Sequence, residues 1–384
     1  MLASRLSSIS ESKSVSTSNR AAELVKAGKR VYNFGIGEPD FTTPEQIIKA
    51  GYEASLKGKT HYTSSYGIVE LREAVAKKMF DVNNVKATFK NVLVTPTKFS
   101  LNLAVMSLMN PGDEAIVPEP YYLSYPDIVR LHGGKVLTSP TDSNYSFDFD
   151  DMGKLVSPRT KMVIISNPTN PTGKVYSEKE LRKLCDFVLE NNLYLLSDEI
   201  YEDLIFEGKM FSPASIPEMF NRTITAGGFS KSYAMTGWRI GYMVAPEEII
   251  QASNKIQQQT ITCAPAISQY ASLAAIHDRD TPVKFNEVFR KRRDLVYQLI
   301  SKSDHLEMRK PEGTFYAFVK YRGKILSDDF AEKLLNEKLV VVTPGSAFGQ
   351  QGEYHFRLSF ATDDETIKEG ISRISEFAES IPPS

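Results

Sequence analysis

Lys231 lies among small residues in "GGFSKSYAMTGWRIGY", and it is the first place to look for chemistry. An amine acts as a covalent catalyst only when part of it is deprotonated, which takes burial or a neighbouring cation. Arg239, in the same stretch, supplies a cation. The apolar run "TITAGG" before the lysine sets it at a strand end, where α/β sheets bind ligands. Taken alone, such a lysine is more often a solvated surface group. Its company shifts the balance. Asp198 ends "LYLLSDEIY", and a carboxylate after an apolar strand is costly unless paired. It reads either as a helix N-cap or as a buried anion that keeps a cationic ring nitrogen protonated. Tyr201 shares its face if the chain turns helical there.

Three further stretches carry candidate binding groups. "SNPTNPTGK" closes another strand, and its Asn-Pro steps forbid helix and fix a stiff turn around Asn170. "VTPTKFSLNLAV" reads as strand, turn, helix, so the amides of Thr97 and Lys98 open a helix N-terminus, a ready phosphate seat. An ordinary strand-to-helix loop is the alternative. Arg239 then reads as a phosphate clamp. Arg357, in "HFRLSF", is either an outward strand residue or a bidentate carboxylate receptor.

Positioning these groups requires a sheet. The runs "NVLVTP", "DEAIVPEP", "GKVLTSP", "KMVIISNP", "LYLLSDE", "RTITAGG" and "IGYMVA" are short and apolar, and most end in Pro, Gly or Asp. Buried strands of a largely parallel sheet have this form. Amphipathic helices lie between them. "SEKELRKLCDFVLENN" opens with a Ser177…Glu180 capping box and lines Leu181, Leu184, Cys185, Val188 and Leu189 along one stripe. "TPEQIIKAGYEASLKG" places Thr43 at the N-cap and Pro44 at the first helical position. A closing helix begins at Thr362…Glu365. The fold class is α/β: a three-layer sandwich with a mostly parallel central sheet over residues 45–285. A smaller α+β domain is expected from both chain ends, 1–44 and 286–384.

The 384 residues are 41% hydrophobic and 24% charged, ordinary for a globular chain. A net charge of −1 removes a general electrostatic case for nucleic acid or an anionic membrane. No apolar run approaches the roughly 20 residues of a membrane span. The Ser-rich start lacks the apolar segment of a secretory signal. Cys185 sits on a helix's apolar face and Cys263 shows no partner, so a cytosolic, disulfide-free protein is expected. "GIGEPD" lacks the third glycine of a dinucleotide loop, and "GFSKS" lacks the final glycine of a nucleophile elbow. The five histidines are scattered without ligand spacing, so no metal is expected.

Together these pieces resemble the fold-type I, class I pyridoxal-phosphate aminotransferases over essentially the whole chain. "GEPDFTTP", "HYTSSYGIVELREA", "NPGDEAIVPEPYYLSYP", "NPTNPTG", "SDEIYEDL", "SKSYAMTGWRIGY", "PEGTFYAF", "VVVTPGSAFG" and "RLSFAT" follow in the family's order. The resemblance implies pyridoxal 5'-phosphate as cofactor and Lys231 as its Schiff-base lysine. It implies Asp198 at the pyridinium nitrogen, Tyr201 and Asn170 at the ring's 3-oxygen, and Tyr122 stacked on the ring. Arg239 and the Thr97–Lys98 amides would hold the phosphate. Tyr62 would reach a neighbouring subunit's phosphate, which implies a homodimer with shared sites. Arg357, with Asn170 and the Gly37 backbone, would grip the substrate α-carboxylate. Two departures stand out: Pro96-Thr97 replaces the usual Gly-Gly or Gly-Ala, and Gly228 replaces a frequent serine.

Lys98 matches a lysine that, in a prokaryotic aspartate aminotransferase subgroup, meets the substrate's distal carboxylate. Ser12 and Ser14 align with N-terminal hydroxyls used there. The expected reaction is aspartate with 2-oxoglutarate by a ping-pong route. Aromatic amino acids, alanine or prephenate are the alternative substrates. A C–S β-lyase or aminocyclopropane carboxylate synthase would keep the same lysine and aspartate. A transcription regulator with an aminotransferase-like domain would need a DNA-binding module before "VYNFGIG".

Overall fold

Each apolar run named above becomes a strand of a single sheet. The computed structural model describes residues 3–9 and 13–382. Its strands begin with β1 (Tyr32–Asn33), β2 (Val92–Val94), β3 (Glu114–Pro118), β4 (Lys135–Ser139) and β5 (Thr160–Ser166). They continue with β6 (Tyr194–Asp198), β7 (Thr223–Gly228), β8 (Gly241–Val244), β9 (Leu306–Met308) and β10 (Tyr316–Tyr321). The last are β11 (Val340–Val341), β12 (Thr343–Pro344) and β13 (His355–Ser359). The large sheet has the order β2-β8-β7-β6-β5-β3-β4. Its pairs from β7 to β4 are parallel, and β8 runs against both β7 and β2.

Both faces of the sheet are covered, which is why its strands are apolar at odd and even positions alike. Met162 and Ile164 of β5 pack into a core shared with Leu101 and Leu103 of the helix Thr97–Leu108. Val163 and Ile165, pointing the other way, pack with Leu181, Leu184, Cys185 and Val188 of the helix Glu178–Glu190. That helix opens with the expected capping box: the Glu180 amide donates to Ser177 Oγ, and Glu180 Oε2 accepts from the Ser177 amide. Leu189 departs from the expected stripe and is exposed. At 100° per residue it falls on the rim of that face.

Two helix starts also differ from the sequence reading. Pro44, not Thr43, is the N-cap of the helix Glu45–Leu56. The Thr43 hydroxyl instead donates to the Ala234 carbonyl at 2.7 Å and accepts from Trp238 Nε1 at 3.0 Å. Tertiary partners in the segment after Lys231 have claimed it. Asp363, not Thr362, caps the helix Asp364–Ser380, accepting from the Thr366 amide at 2.8 Å. An ionised acceptor suits the positive helix end better than a hydroxyl.

A second, antiparallel sheet has the order β12-β13-β10-β9, and β1 pairs in parallel with β11. Its core is aromatic, built on Phe315, Tyr316, Tyr321, Phe330, Phe356 and Phe360. The same core takes in Ile200, Tyr201 and Leu204, which follow β6. The small sheet is therefore packed directly on the end of the large one. Arg292 forks onto both oxygens of Asp40, at 2.7 and 2.9 Å, and fastens the segment after β1 to the helix Asp280–Ile300. Among the described residues no helix is long and apolar enough to cross a membrane.

Candidate active site

The parallel strands β5, β6 and β7 end together, and the chain leaving each contributes to one cavity of about 460 Å³. Gly37, Thr97, Lys98, Tyr122, Asn170, Asp198, Tyr201, Lys231, Arg239 and Arg357 all line it. Tyr62 does not. It is 85% exposed and borders a separate depression with His61, Cys263 and Ala266. Ser12 lies outside the described residues, and Ser14 falls in the helix Lys13–Lys26.

Lys231 follows β7 and donates from Nζ to the Gly37 carbonyl at 2.5 Å. Burial pushes its amine down to about 8; Glu38 opposes this and Arg357 adds to it. A fraction of the amine is therefore neutral near physiological pH, the state a nucleophile needs. Asp198, the last residue of β6, is buried, and burial pushes its carboxyl up to about 6. It accepts from Tyr125 Oη at 2.9 Å and from the Ile200 amide at 3.3 Å. The residues after it form tight turns rather than a helix, so the helix N-cap reading does not apply. Among the described residues its hydrogen-bond partners are a hydroxyl and an amide, and the Lys231 charge acts on it without a direct ion pair.

The same cavity carries two candidate anion seats. At one, the helix Thr97–Leu108 starts at the cavity, and its first intrahelical bonds run from Phe99 and Ser100 to Pro96. The Thr97 and Lys98 amides come before those bonds and belong to the positive end of the helix. Arg239 lines the same cavity, donates to the Thr236 carbonyl at 2.9 Å and has φ 54°, a left-handed conformation unusual for a side-chain-bearing residue. At the other, Arg357 of β13 is only 2% exposed. It donates to Asn170 Oδ1 at 3.1 Å, to the Gly35 carbonyl at 3.0 Å and to Thr343 Oγ1 at 3.3 Å. Among the described residues its Nε has no partner. A guanidinium buried on neutral acceptors calls for an anion.

The family described as "Aminotransferase class I and II" matches residues 29–374. The chain belongs to this family. The aminotransferase is 40% identical to an aspartate aminotransferase of Sulfolobus acidocaldarius, over 91% of this chain and 90% of that one. It is 39% identical to a probable aspartate/prephenate aminotransferase of Aquifex aeolicus, over 99% of each chain. The crystal structure of an aspartate aminotransferase from Rhizobium meliloti superposes with a TM-score of 0.94 at 36% identity, over the full length of both.

Enzymes of this family depend on pyridoxal phosphate, and this aminotransferase has the groups to receive it. A partly neutral amine, a buried carboxylate with no ion-pair partner among the described residues, and helix-end amides on the same cavity as an arginine suit an aldehyde, a basic ring and a phosphate in turn. Two tyrosines were missed by sequence reasoning. Tyr316 lies under Arg357, 4.3 Å from guanidinium carbon to ring centre, and its hydroxyl pairs with that of Tyr201 at 3.0 Å. Tyr125 holds Asp198, and its ring stands edge-on to that of Tyr122 at 5.4 Å. Three tyrosines crowd "EPYYLSYP", and only the short helix Ser124–Leu131 decides which one turns inward.

Proposed function

We propose that this aminotransferase moves the amino group of L-aspartate to 2-oxoglutarate by a ping-pong route. The observation that carries the reading is Arg357, buried on the cavity that holds Lys231 with no carboxylate partner among the described residues. Pyridoxal phosphate, when bound, supplies an aldehyde and an electron-withdrawing ring that spreads negative charge from the substrate α-carbon. Lys231 would hold the coenzyme covalently through its aldehyde, and a substrate amine would set the lysine free. Once free, that amine would take the proton from Cα as base and return it on the coenzyme side as acid. Asp198 keeps the ring nitrogen protonated, with Tyr125 orienting the carboxylate. Tyr201 and Asn170 would donate to the ring 3-oxygen, and Tyr122 would cover one face; all three line the cavity. The Thr97 and Lys98 amides and Arg239 hold the phosphate. Arg357, Asn170 and the Gly37 backbone hold the α-carboxylate and so orient the Cα–H bond. Donor oxo acid leaves before the acceptor enters.

Lys98 is exposed at the cavity edge, where its ammonium suits a second carboxylate on the substrate. Aspartate has one, and so does prephenate, which the name of the Aquifex relative includes. The test is a panel of acidic, aromatic and small amino donors against 2-oxoglutarate, run on wild type and Lys98→Ala. Selective loss with acidic donors supports the assignment. Equal loss with every donor removes Lys98 from substrate choice, and pyruvate with ammonia released without an acceptor would mark a β-lyase. We further propose a large coenzyme-holding domain (45–285), a small domain from 1–44 and 286–384, and a cytosolic homodimer. Exposed Tyr62, with Tyr52 and Leu56 also bare, supports the dimer, and two free thiols fit the compartment.

A further inference from the structure

Thr97 is the first residue of its helix, and the preceding N-cap, Pro96, makes no side-chain cap. Its hydroxyl points away from the helix and donates to the Gly227 carbonyl of β7 at 3.0 Å. Two glycines make room for it. A Cβ on Gly228 would lie 2.3 Å from Thr97 Oγ1, and one on Gly241 would lie 2.2 Å from the same atom. These glycines are opposite each other across the β7–β8 pair. Neither has the positive φ that demands glycine, so space rather than conformation explains them. Lys231 lies just beyond the first, and Arg239 just before the second. One threonine side chain therefore joins the helix end, the lysine segment and the arginine segment.

We propose that Thr97 is a positioning residue of the phosphate seat, keyed into a notch that Gly228 and Gly241 leave between β7 and β8. Its hydroxyl proton goes to Gly227, so Thr97 serves the anion through the placement of its own amide and that of Lys98. The inference rests on the reading that these amides and Arg239 hold the phosphate. It also predicts an asymmetry. A methyl on Gly228 meets mainly the threonine oxygen, its next neighbours lying at 3.1 and 3.2 Å. A methyl on Gly241 also meets the Gly227 carbonyl at 2.8 Å, which no change at position 97 removes.

The test starts from holoenzyme, strips the coenzyme, and measures affinity for pyridoxal 5'-phosphate and for pyridoxal by absorbance. Thr97→Val should weaken the phosphorylated form roughly fivefold, the worth of one hydrogen bond, and leave pyridoxal unchanged. Thr97→Ser should restore the wild-type ratio. Gly228→Ala should weaken phosphate-dependent binding, and Thr97→Ala should cost nothing further in that background. Gly241→Ala should gain no such relief. Equal loss for both ligands, no loss in Thr97→Val, or independent effects at 97 and 228 would overturn the proposal. Arg239→Gln separates the levels: if it leaves the phosphate preference intact, the seat itself is misassigned; if it alone abolishes the preference, only the role of Thr97 fails.

Discussion

Lys231 and Arg357 are cations of one cavity, and they differ in how their surroundings treat the charge. Burial drives the lysine toward neutrality, down to about 8, whereas the arginine sits on neutral acceptors with its Nε unpartnered among the described residues. Covalent capture of pyridoxal phosphate by the stripped protein should therefore accelerate as pH rises through about 8 and level off above it. Stopped-flow absorbance at a series of pH values measures this; a rate already flat from pH 6 would contradict it. Lys231→Ala should bind the coenzyme without a borohydride-fixable bond, read by peptide mass. For Arg357, a lysine replacement keeps the charge but loses the planar fork. Arg357→Lys should lower kcat/KM for every amino donor by about 100-fold, about 2.7 kcal/mol, with coenzyme absorbance unchanged. Loss of coenzyme instead would give Arg357 a different task.

At the scale of elements, the turns after β6 concentrate buried charge behind the site. Glu202 is held below its ordinary value: burial opposes this, but the buried Lys78 ammonium, Asn83 and Tyr242 outweigh it. Glu199 goes the other way. Burial, then the neighbouring Glu202, push it up to about 8, and its Oε2 has no partner while Oε1 accepts from Ser197 and Ser212. A carboxyl raised on folding contributes stability that is present below its unfolded value near 4.5 and lost as pH rises through about 8. Glu199→Gln should flatten the decline in melting temperature between about pH 5 and 8 and raise stability at pH 8, by about 1 kcal/mol or more. Parallel melts of the two proteins decide it. Such turns also mark where sequence legibility ends. The seven strands of the large sheet could be read because each is a short apolar run and most have a breaker at the end. The Ser177 cap could be read because both partners are local. Thr43 could not, because Ala234 and Trp238 lie far along the chain and outcompete the helix for its hydroxyl. Tyr316 carries no local mark either, since its register beside Arg357 exists only once β10 pairs with β13.

For the whole molecule, the cavity gathers the residues expected to hold the coenzyme and the α-carboxylate from both ends and the middle of the chain, except Tyr62. Tyr62 stays outside, largely bare, in a region that also leaves Tyr52 and Leu56 exposed. If a second copy of the chain covers this surface and Tyr62 reaches the partner's phosphate seat, each site needs two chains. A mixing experiment then has a defined arithmetic. Tyr62→Ala keeps its lysine but gives its partner no tyrosine; Lys231→Ala does the reverse. When the two variants are unfolded together and refolded at equal amounts, about half the dimers are hybrids, each with one complete site. The mixture should then regain about a quarter of wild-type activity per chain, well above either variant alone. Activity equal to the mean of the two parents would mean that Tyr62 serves its own chain or none. Light scattering on the same samples separates that result from a failure to form dimers, because a monomer could not complement at any mixing ratio.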